Sequence, residues 1–168
     1  MRPDETDEIV HQFPWLPSGW KFLKAKWQGE ILTCLQPCPA MASGQRTAAN
    51  QFERERRLEA VLTGSKPGTT IQLATRPLSG WAAKVFAALR EIPFGTTITY
   101  GDLASLAGNP LAARAAARVC ASNRICLVVP CHRVLPKAGG FGGFHWGTKL
   151  KQEILVWEKA ENSAIRPA

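Results

Sequence analysis

The stretch Leu127-Val128-Val129-Pro130-Cys131-His132-Arg133-Val134 constrains the fold of this chain more than any other. A short aliphatic run of this kind predicts a buried strand, and Pro130 ends its regular pairing because proline has no N–H to give a ladder. The fold must therefore bury the run and still deliver a thiol and an imidazole where the strand stops. Neighbours in an extended chain point to opposite faces, so Cys131 and His132 do not touch unless the backbone turns sharply. A bound water or a third group has to connect them. Two readings stand side by side. One is a nucleophilic thiol whose pKa a nearby imidazole lowers, since only the thiolate attacks well. The other is a buried structural cysteine beside an unrelated histidine.

The chain has 168 residues, 45% hydrophobic and 20% charged, enough for one large domain or two small ones with a real core. Its apolar runs are far shorter than the roughly 20 residues that cross a bilayer. The polar, acidic start Met1-Arg2-Pro3-Asp4-Glu5 is unlike a signal peptide, so a cytoplasmic protein with no membrane partner is expected. Five cysteines (Cys34, Cys38, Cys120, Cys126, Cys131) are an odd number in a chain too apolar to need stapling, which implies a reducing compartment. Cys34 and Cys38 have C-x3-C spacing, but the only histidines are His11, His132 and His145 and no second cysteine pair sits at ligand spacing. Structural zinc normally needs four ligands, so no metal and no cofactor are assigned, with Cys34 and Cys38 left open as zinc ligands.

The formal net charge is +8, unevenly spread. Between Gly101 and Gln152, seven basic residues (Arg114, Arg118, Arg124, Arg133, Lys137, Lys149, Lys151) face one acid, Asp102. A solvated basic face normally mixes in carboxylates, so their scarcity favours an anionic partner such as nucleic acid.

Along the chain, residues 1–18 read as irregular. Phe22, Trp27, Ile31, Leu32 and Thr33 flank Gln28-Gly29 as two strands of a hairpin. Ala40 to Arg46 is loop-like. Phe52, Leu58, Val61 and Leu62 form a helical stripe over Ala48–Leu62, stopped by Gly64 and Pro67, and Thr69–Ala74 reads as a strand. Thr75-Arg76-Pro77 is the expected seam. Ser79 stands at an N-cap position before a helix carrying Trp81, Val85, Leu89 and Ile92. Tyr100 to Cys120 then gives a short helix, a Gly108-Asn109 turn, and a second helix begun by Pro110, in the pattern of a helix-turn-helix. That second helix is nearly all alanine apart from Arg114 and Arg118, one turn apart on one face. Alanine allows close approach to a nucleic-acid backbone, although a packing helix with two snorkelling arginines fits the same pattern. Gly139 to Gly147 is a glycine-rich loop whose Phe144, His145 and Trp146 offer flat surfaces to a base. Lys149–Ala160 closes the chain as a helix with Leu150, Ile154 and Trp157 on an apolar stripe and Glu158 near its end.

These residues resemble the O6-alkylguanine-DNA alkyltransferases, the methylated-DNA–protein-cysteine methyltransferases. The resemblance rests on Pro130-Cys131-His132-Arg133-Val134, on Ile98-Thr99-Tyr100-Gly101 leading into Ala107-Gly108-Asn109-Pro110 and Ala113-Arg114-Ala115, on Asn123, and on Gly147 followed by a helix reaching Glu158. It covers about Ser79 to Glu158. It implies an α/β fold in which a small N-terminal β-sheet with a helix (residues 1–76) precedes a mostly helical DNA-binding and catalytic domain with a helix-turn-helix (residues 77–168).

It also implies a single-turnover S-methyltransferase of DNA repair. A monomer would bind double-stranded DNA carrying an alkylated guanine through the minor groove, flip the base out, and take its alkyl group irreversibly onto Cys131. In that scheme Arg114 fills the space the base leaves, beside Arg118, Ala113, Ala115 and Ala116 on the DNA. Tyr100 crowds the flipped nucleotide's phosphate and protonates the leaving guanine. Glu158 holds His132, His132 a water, and the water Cys131, while Asn123 braces the turn. Backbone near Val134 and the loop Phe144-His145-Trp146 read the base. Two departures stand out. Phe144 and His145 replace the Tyr and Ser of several members, and Trp146 stands where some have glycine, so a narrow slot that favours methyl over benzyl is expected. Two other readings compete: a non-catalytic alkyltransferase-like lesion binder, whose relatives carry another residue in place of the cysteine, and a cysteine hydrolase using Cys131, His132 and Glu158 in direct contact.

Overall fold

The computed structural model describes residues 6–38, 51–63, 71–74 and 80–165, with side chains to residue 159. The chain divides into two compact units, Met1–Arg76 and Pro77–Ala168.

In the first unit β1 (Thr6–Gln12), β2 (Phe22–Gln28) and β3 (Ile31–Pro37) form an antiparallel meander, and β4 (Gln72–Leu73) joins β3 in parallel. Between β3 and β4 comes α1 (Gln51–Thr63), as a parallel connection requires. The expected hairpin joins β2 to β3, with Gly29 in the left-handed region at φ 59°. β2 alternates strictly, placing Leu23, Ala25 and Trp27 at 0% exposure.

Two expectations fail in this unit. The stretch read as irregular contains a strand, because Thr6–Gln12 pairs with β2 along its whole length. Its polar letters hide the strand: Glu8 bridges Lys24 and Lys26 on the neighbouring strand, while Ile9, Val10 and His11 are buried. On α1, Phe52 is 77% exposed and Arg54 is buried in its place. The guanidinium earns that position by donating to Asp7 Oδ2 (2.8 Å) and the Gly29 carbonyl (2.6 Å), which pins the helix to the hairpin turn. The loop over Ala40–Arg46, the stop at Gly64 and Pro67, the seam at Thr75-Arg76-Pro77 and the Ser79 cap lie outside the described residues.

The second unit contains α2 (Trp81–Arg90), β5 (Ile98–Thr99), α3 (Tyr100–Leu106), α4 (Ala113–Ala121), β6 (Val134–Leu135) and α5 (Thr148–Ile165). α2 and α3 both pack on α4, and β5 pairs with β6 in parallel. Pro110 does not begin the second helix of the pair. It sits in the turn, where its missing N–H costs nothing, and α4 starts three residues later.

The buried strand expected over Leu127–Val129 is absent. Residues 126–129 are turns, Leu127 lies at φ 64°, and Cys131–Arg133 is a 3-10 turn. The cause is Asn123, whose side chain takes the place of ladder partners. Its Oδ1 accepts from the Ile125 N–H (2.9 Å), and its Nδ2 donates to the Val129 carbonyl (2.8 Å) and to Cys131 Sγ (3.1 Å). A buried amide with good partners can impose a turn on a sequence that composition assigns to a strand. The strand comes just after the thiol, where Val134 and Leu135 face Ile98 and Thr99. Among the described residues no helix is long and apolar enough to cross a membrane.

His11 supplies a test of the first unit's packing. It is fully buried, its ring nitrogens have no hydrogen-bond partner among the described residues, and burial together with Arg54 pushes its pKa down from 6.5 to about 4. The folded state therefore binds the proton less readily than the unfolded one. Stability is complete above pH 6.5 and falls as pH drops towards 4. Between pH 7 and 5 the loss from this residue is on the order of 2 kcal/mol. Thermal melts of wild type and His11→Phe at both pH values should show a smaller acid-induced drop in the variant.

Candidate active site

β5 runs into α3 without a linker, and the junction is fixed by a capping box. The Asp102 N–H donates to Thr99 Oγ1 (3.1 Å) and the Thr99 N–H to Asp102 Oδ2 (2.9 Å). Tyr100 is thus the first residue of α3. Burial, with Cys120 and Cys131 nearby, pushes its phenol up to about 12, so it keeps its proton at neutral pH.

Cys131 and His132 occupy the 3-10 turn, 4% and 0% exposed. The carboxylate of Glu158, two thirds of the way along α5, accepts from His132 Nε2 at 2.7 Å. The ring nitrogen facing a carboxylate must carry the hydrogen, which leaves Nδ1 as the basic atom. Nδ1 is buried and has no partner within the described residues. Arg133 lies alongside, its Nε and Nη2 donating to the same carboxylate (2.9 and 2.8 Å) and its Nη1 to the Ile92 carbonyl (2.8 Å). The Gly95 N–H gives a longer bond to Glu158 Oε2 (3.3 Å). Burial works to raise the Glu158 carboxyl, but the bonds and charges of His132 and Arg133 outweigh it and hold it at about 2. Burial lowers His132 in spite of Glu158, so the imidazole is neutral at rest.

This arrangement changes the expected electrostatics of the sulfur. A neutral His132 does not stabilise a thiolate through charge, and burial pushes the Cys131 thiol up. The Asn123 hydrogen bond and the charge of Lys151 pull it back. Lys151 is the residue that sequence reasoning missed. It is fully buried on α5 and donates to the Val134 carbonyl (2.7 Å), with Nζ 6.0 Å from the Tyr100 ring and 5.8 Å from the Phe144 ring. The signal was present, since Lys151, Ile154 and Glu158 recur at i, i+3, i+7 and all are buried. The stripe expected over Leu150, Ile154 and Trp157 is rotated: Ile154 is buried and the other two are half-buried.

The thiol borders a small depression. It is lined by Tyr100 and Cys131, by the α4 residues Ala117, Cys120 and Ala121, and by Gly143, Phe144 and His145 of the glycine-rich loop. Gly142 allows the loop to close in: at φ 64°, an added Cβ would stand 2.9 Å from Pro136 Cγ. Trp146, expected to narrow the slot, is not among the lining residues. It packs edge-on against Phe144 and His145 behind the wall, 5.3 and 5.0 Å between ring centroids. Val134 is fully buried, and its carbonyl already holds Lys151.

On α4, Arg114 and Arg118 are exposed and Ala113, Ala115 and Ala117 are half-buried. Ala116 was expected on the DNA, but it is fully buried. With Cys120 one turn on, it belongs to the helix face opposite the arginines. Among the described residues no group of three or more His, Cys, Asp or Glu is placed to hold a metal. Cys34 and Cys38 are partly exposed thiols.

A family model described as 6-O-methylguanine DNA methyltransferase, DNA binding domain, matches residues 80–160. The methylated-DNA–protein-cysteine methyltransferase of Methanosarcina acetivorans is 38% identical over 106 residues, which is 63% of this chain and 67% of that protein. The chain belongs to the O6-methylguanine DNA methyltransferase family. Within the family, it is 44% identical over 79 residues to the Escherichia coli protein described as bifunctional transcriptional activator/DNA repair enzyme Ada, and the match spans 22% of Ada. The match spans half or less of several other curated relatives as well. The crystal structure of Mycobacterium tuberculosis O6-methylguanine methyltransferase superposes with a TM-score of 0.73 at 28% identity, covering 98% of this chain and 96% of that one. A structure of the mycobacterial protein in complex with DNA gives 0.71 at 28% identity over 93% of each chain.

Lys151→Met removes the positive charge facing Cys131, so the thiol's pKa should rise. Reaction of Cys131 with iodoacetamide at neutral pH should slow roughly tenfold for each unit of that rise. The check is the pH profile of the alkylation rate, whose midpoint should move to higher pH in the variant.

Proposed function

We propose that this protein repairs DNA by accepting the alkyl group of an O6-alkylguanine, chiefly O6-methylguanine, onto Cys131 in one irreversible turnover. The observation that carries the reading is that Cys131, bonded to Asn123 and followed by the His132–Glu158 pair, lines a depression in a chain of this family. The guanine enters that depression after rotating out of the duplex, because its O6 substituent is otherwise held in the base stack. Phe144 and His145 flank the base, and Lys151 keeps the Val134 carbonyl in place below it.

Since Cys131 rests as a buried thiol, proton removal is coupled to attack. A water relays the proton to His132 Nδ1, whose basicity Glu158 supports from the other nitrogen. Sγ attacks the alkyl carbon in line, the S–C bond forms as the C–O6 bond breaks, and the electron pair leaves on the guanine oxygen. Tyr100 is still protonated at neutral pH and supplies a proton to the departing purine. A thioether has no leaving group to return, so the protein acts once.

The duplex lies along α3 and α4 as a helix-turn-helix, with the exposed Arg114 entering the minor groove to occupy the space of the flipped base and Arg118 on the phosphates. None of the five cysteines, all among the described residues, is in a disulfide, which suits a reducing compartment.

The burial of Cys131 favours a second reading, a lesion binder whose thiol never reacts. Incubation with a duplex carrying one methylguanine separates the two. Transfer adds the mass of one methyl group to the peptide containing Cys131 and to no other, and tight binding without any mass change would overturn the proposal. Arg114→Ala should slow repair of duplex by about tenfold or more while leaving the reaction with free O6-methylguanine nearly unchanged, because only the duplex requires flipping. Single-turnover rates on the two substrates measure the difference, and equal losses would remove the flipping role.

A further inference from the structure

We propose that Cys120 and Cys131 are a dithiol pair that a hydroperoxide closes into a reducible disulfide, which shelters the alkyl-accepting sulfur from irreversible oxidation. Both thiols line the same depression, one from the buried face of α4 and the other from the 3-10 turn, with Tyr100 beside them. Their charges are linked: ionised Cys131 bears on Cys120, and both bear on Lys151. Cys126 is buried too but does not line the depression. The opening that admits an alkylated base also admits a molecule as small as hydrogen peroxide.

The chemistry balances in two steps. Cys131 sulfur attacks a peroxide oxygen, the S–O bond forms as the O–O bond breaks, and the thiol's proton leaves with the departing oxygen as water, giving a sulfenic acid. Cys120 sulfur then attacks that sulfur, the S–S bond forms, the S–O bond breaks, and hydroxide takes the Cys120 proton to leave as a second water. The sulfur pair loses two electrons and the hydroperoxide gains them. Burial holds the Cys120 thiol up at about 12, and the charge of Lys151 works against it. Cys120 therefore gives up its proton only as the S–S bond forms, to the departing hydroxide.

The inference rests on Cys131 being the reactive thiol of the preceding section, but it is read without DNA. Full-length protein is treated with hydrogen peroxide, its remaining thiols are blocked, and it is digested with trypsin under non-reducing conditions. The expected product joins peptide 119–124 to peptide 125–133 with the loss of two hydrogens, and fragment ions place the bridge on Cys120 and Cys131. Dithiothreitol should then restore methyl uptake to the untreated level. In Cys120→Ser, referred to its own untreated activity, the same treatment should carry Cys131 on to the sulfinic acid, and dithiothreitol should restore nothing. A bridge that uses Cys126, a bridge between two molecules, or wild type overoxidised as readily as the variant overturns the proposal, and the wild-type peptide map decides even if the variant does not fold. Normal methyl uptake without the bridge defeats this inference alone, and the bridge without methyl uptake defeats only the alkyl-transfer reading.

Discussion

One carboxylate organises the second unit. Glu158 is 2% exposed and is held by His132 on one side and the fork of Arg133 on the other, with the Gly95 amide reaching its rim. An ionised group in that position would be prohibitive alone, and it is tolerated because a cation and several donors surround it. The same contacts decide the state of the imidazole. Glu158 favours protonation of His132, but burial, helped by the charge of Arg133, outweighs it, and the ring stays neutral with Nδ1 as its basic nitrogen. Arg133 also closes on the Ile92 carbonyl, so the segment after α2, the 3-10 turn and α5 meet at one buried hub.

Much of this was legible in the sequence, and for identifiable reasons. The hairpin around Gly29 and the helices α2, α3 and α4 follow from periodicity and turn chemistry, which act locally. The motif around Cys131 carried the family, and the residues named with it lie in the same unit: Tyr100 lines the depression with the thiol, Asn123 donates to the sulfur, and Glu158 accepts from the adjacent His132. What escaped depended on partners distant in the chain. Leu127–Val129 has the composition of a strand and forms turns, with the Asn123 amide bracing both sides of the segment at Ile125 and Val129 and local backbone bonds closing it. β1 reads as a polar tail because its charges are satisfied on the neighbouring strand. Lys151 stands in the sequence among the basic residues that favour an anionic partner, and Arg54 among the charges of α1, yet each is buried on a backbone carbonyl that composition cannot reveal. Ala116 belongs to a motif that reaches the site, but its side chain turns into the core, and Trp146 packs against Phe144 and His145 without itself lining the depression.

The α4 helix divides its labour by face. Ala116 and Cys120 turn inward, and Arg114 and Arg118 turn outward. A helix of small residues can therefore form a cavity wall and a cationic ridge at once, with little side-chain bulk between them.

The two-stranded ladder of β5 and β6 pairs Ile98 with Val134 and Thr99 with Leu135. Tyr100 follows one strand immediately, and Cys131 stands three residues before the other. The phenol and the sulfur are thus spaced by a pair of backbone rungs and not by the long excursion of chain between them. A slip of a single rung would displace one relative to the other by about 3.3 Å, more than the length of a hydrogen bond. The ladder works as a ruler, and the intervening helices can drift over evolutionary time without losing the calibration of the two atoms.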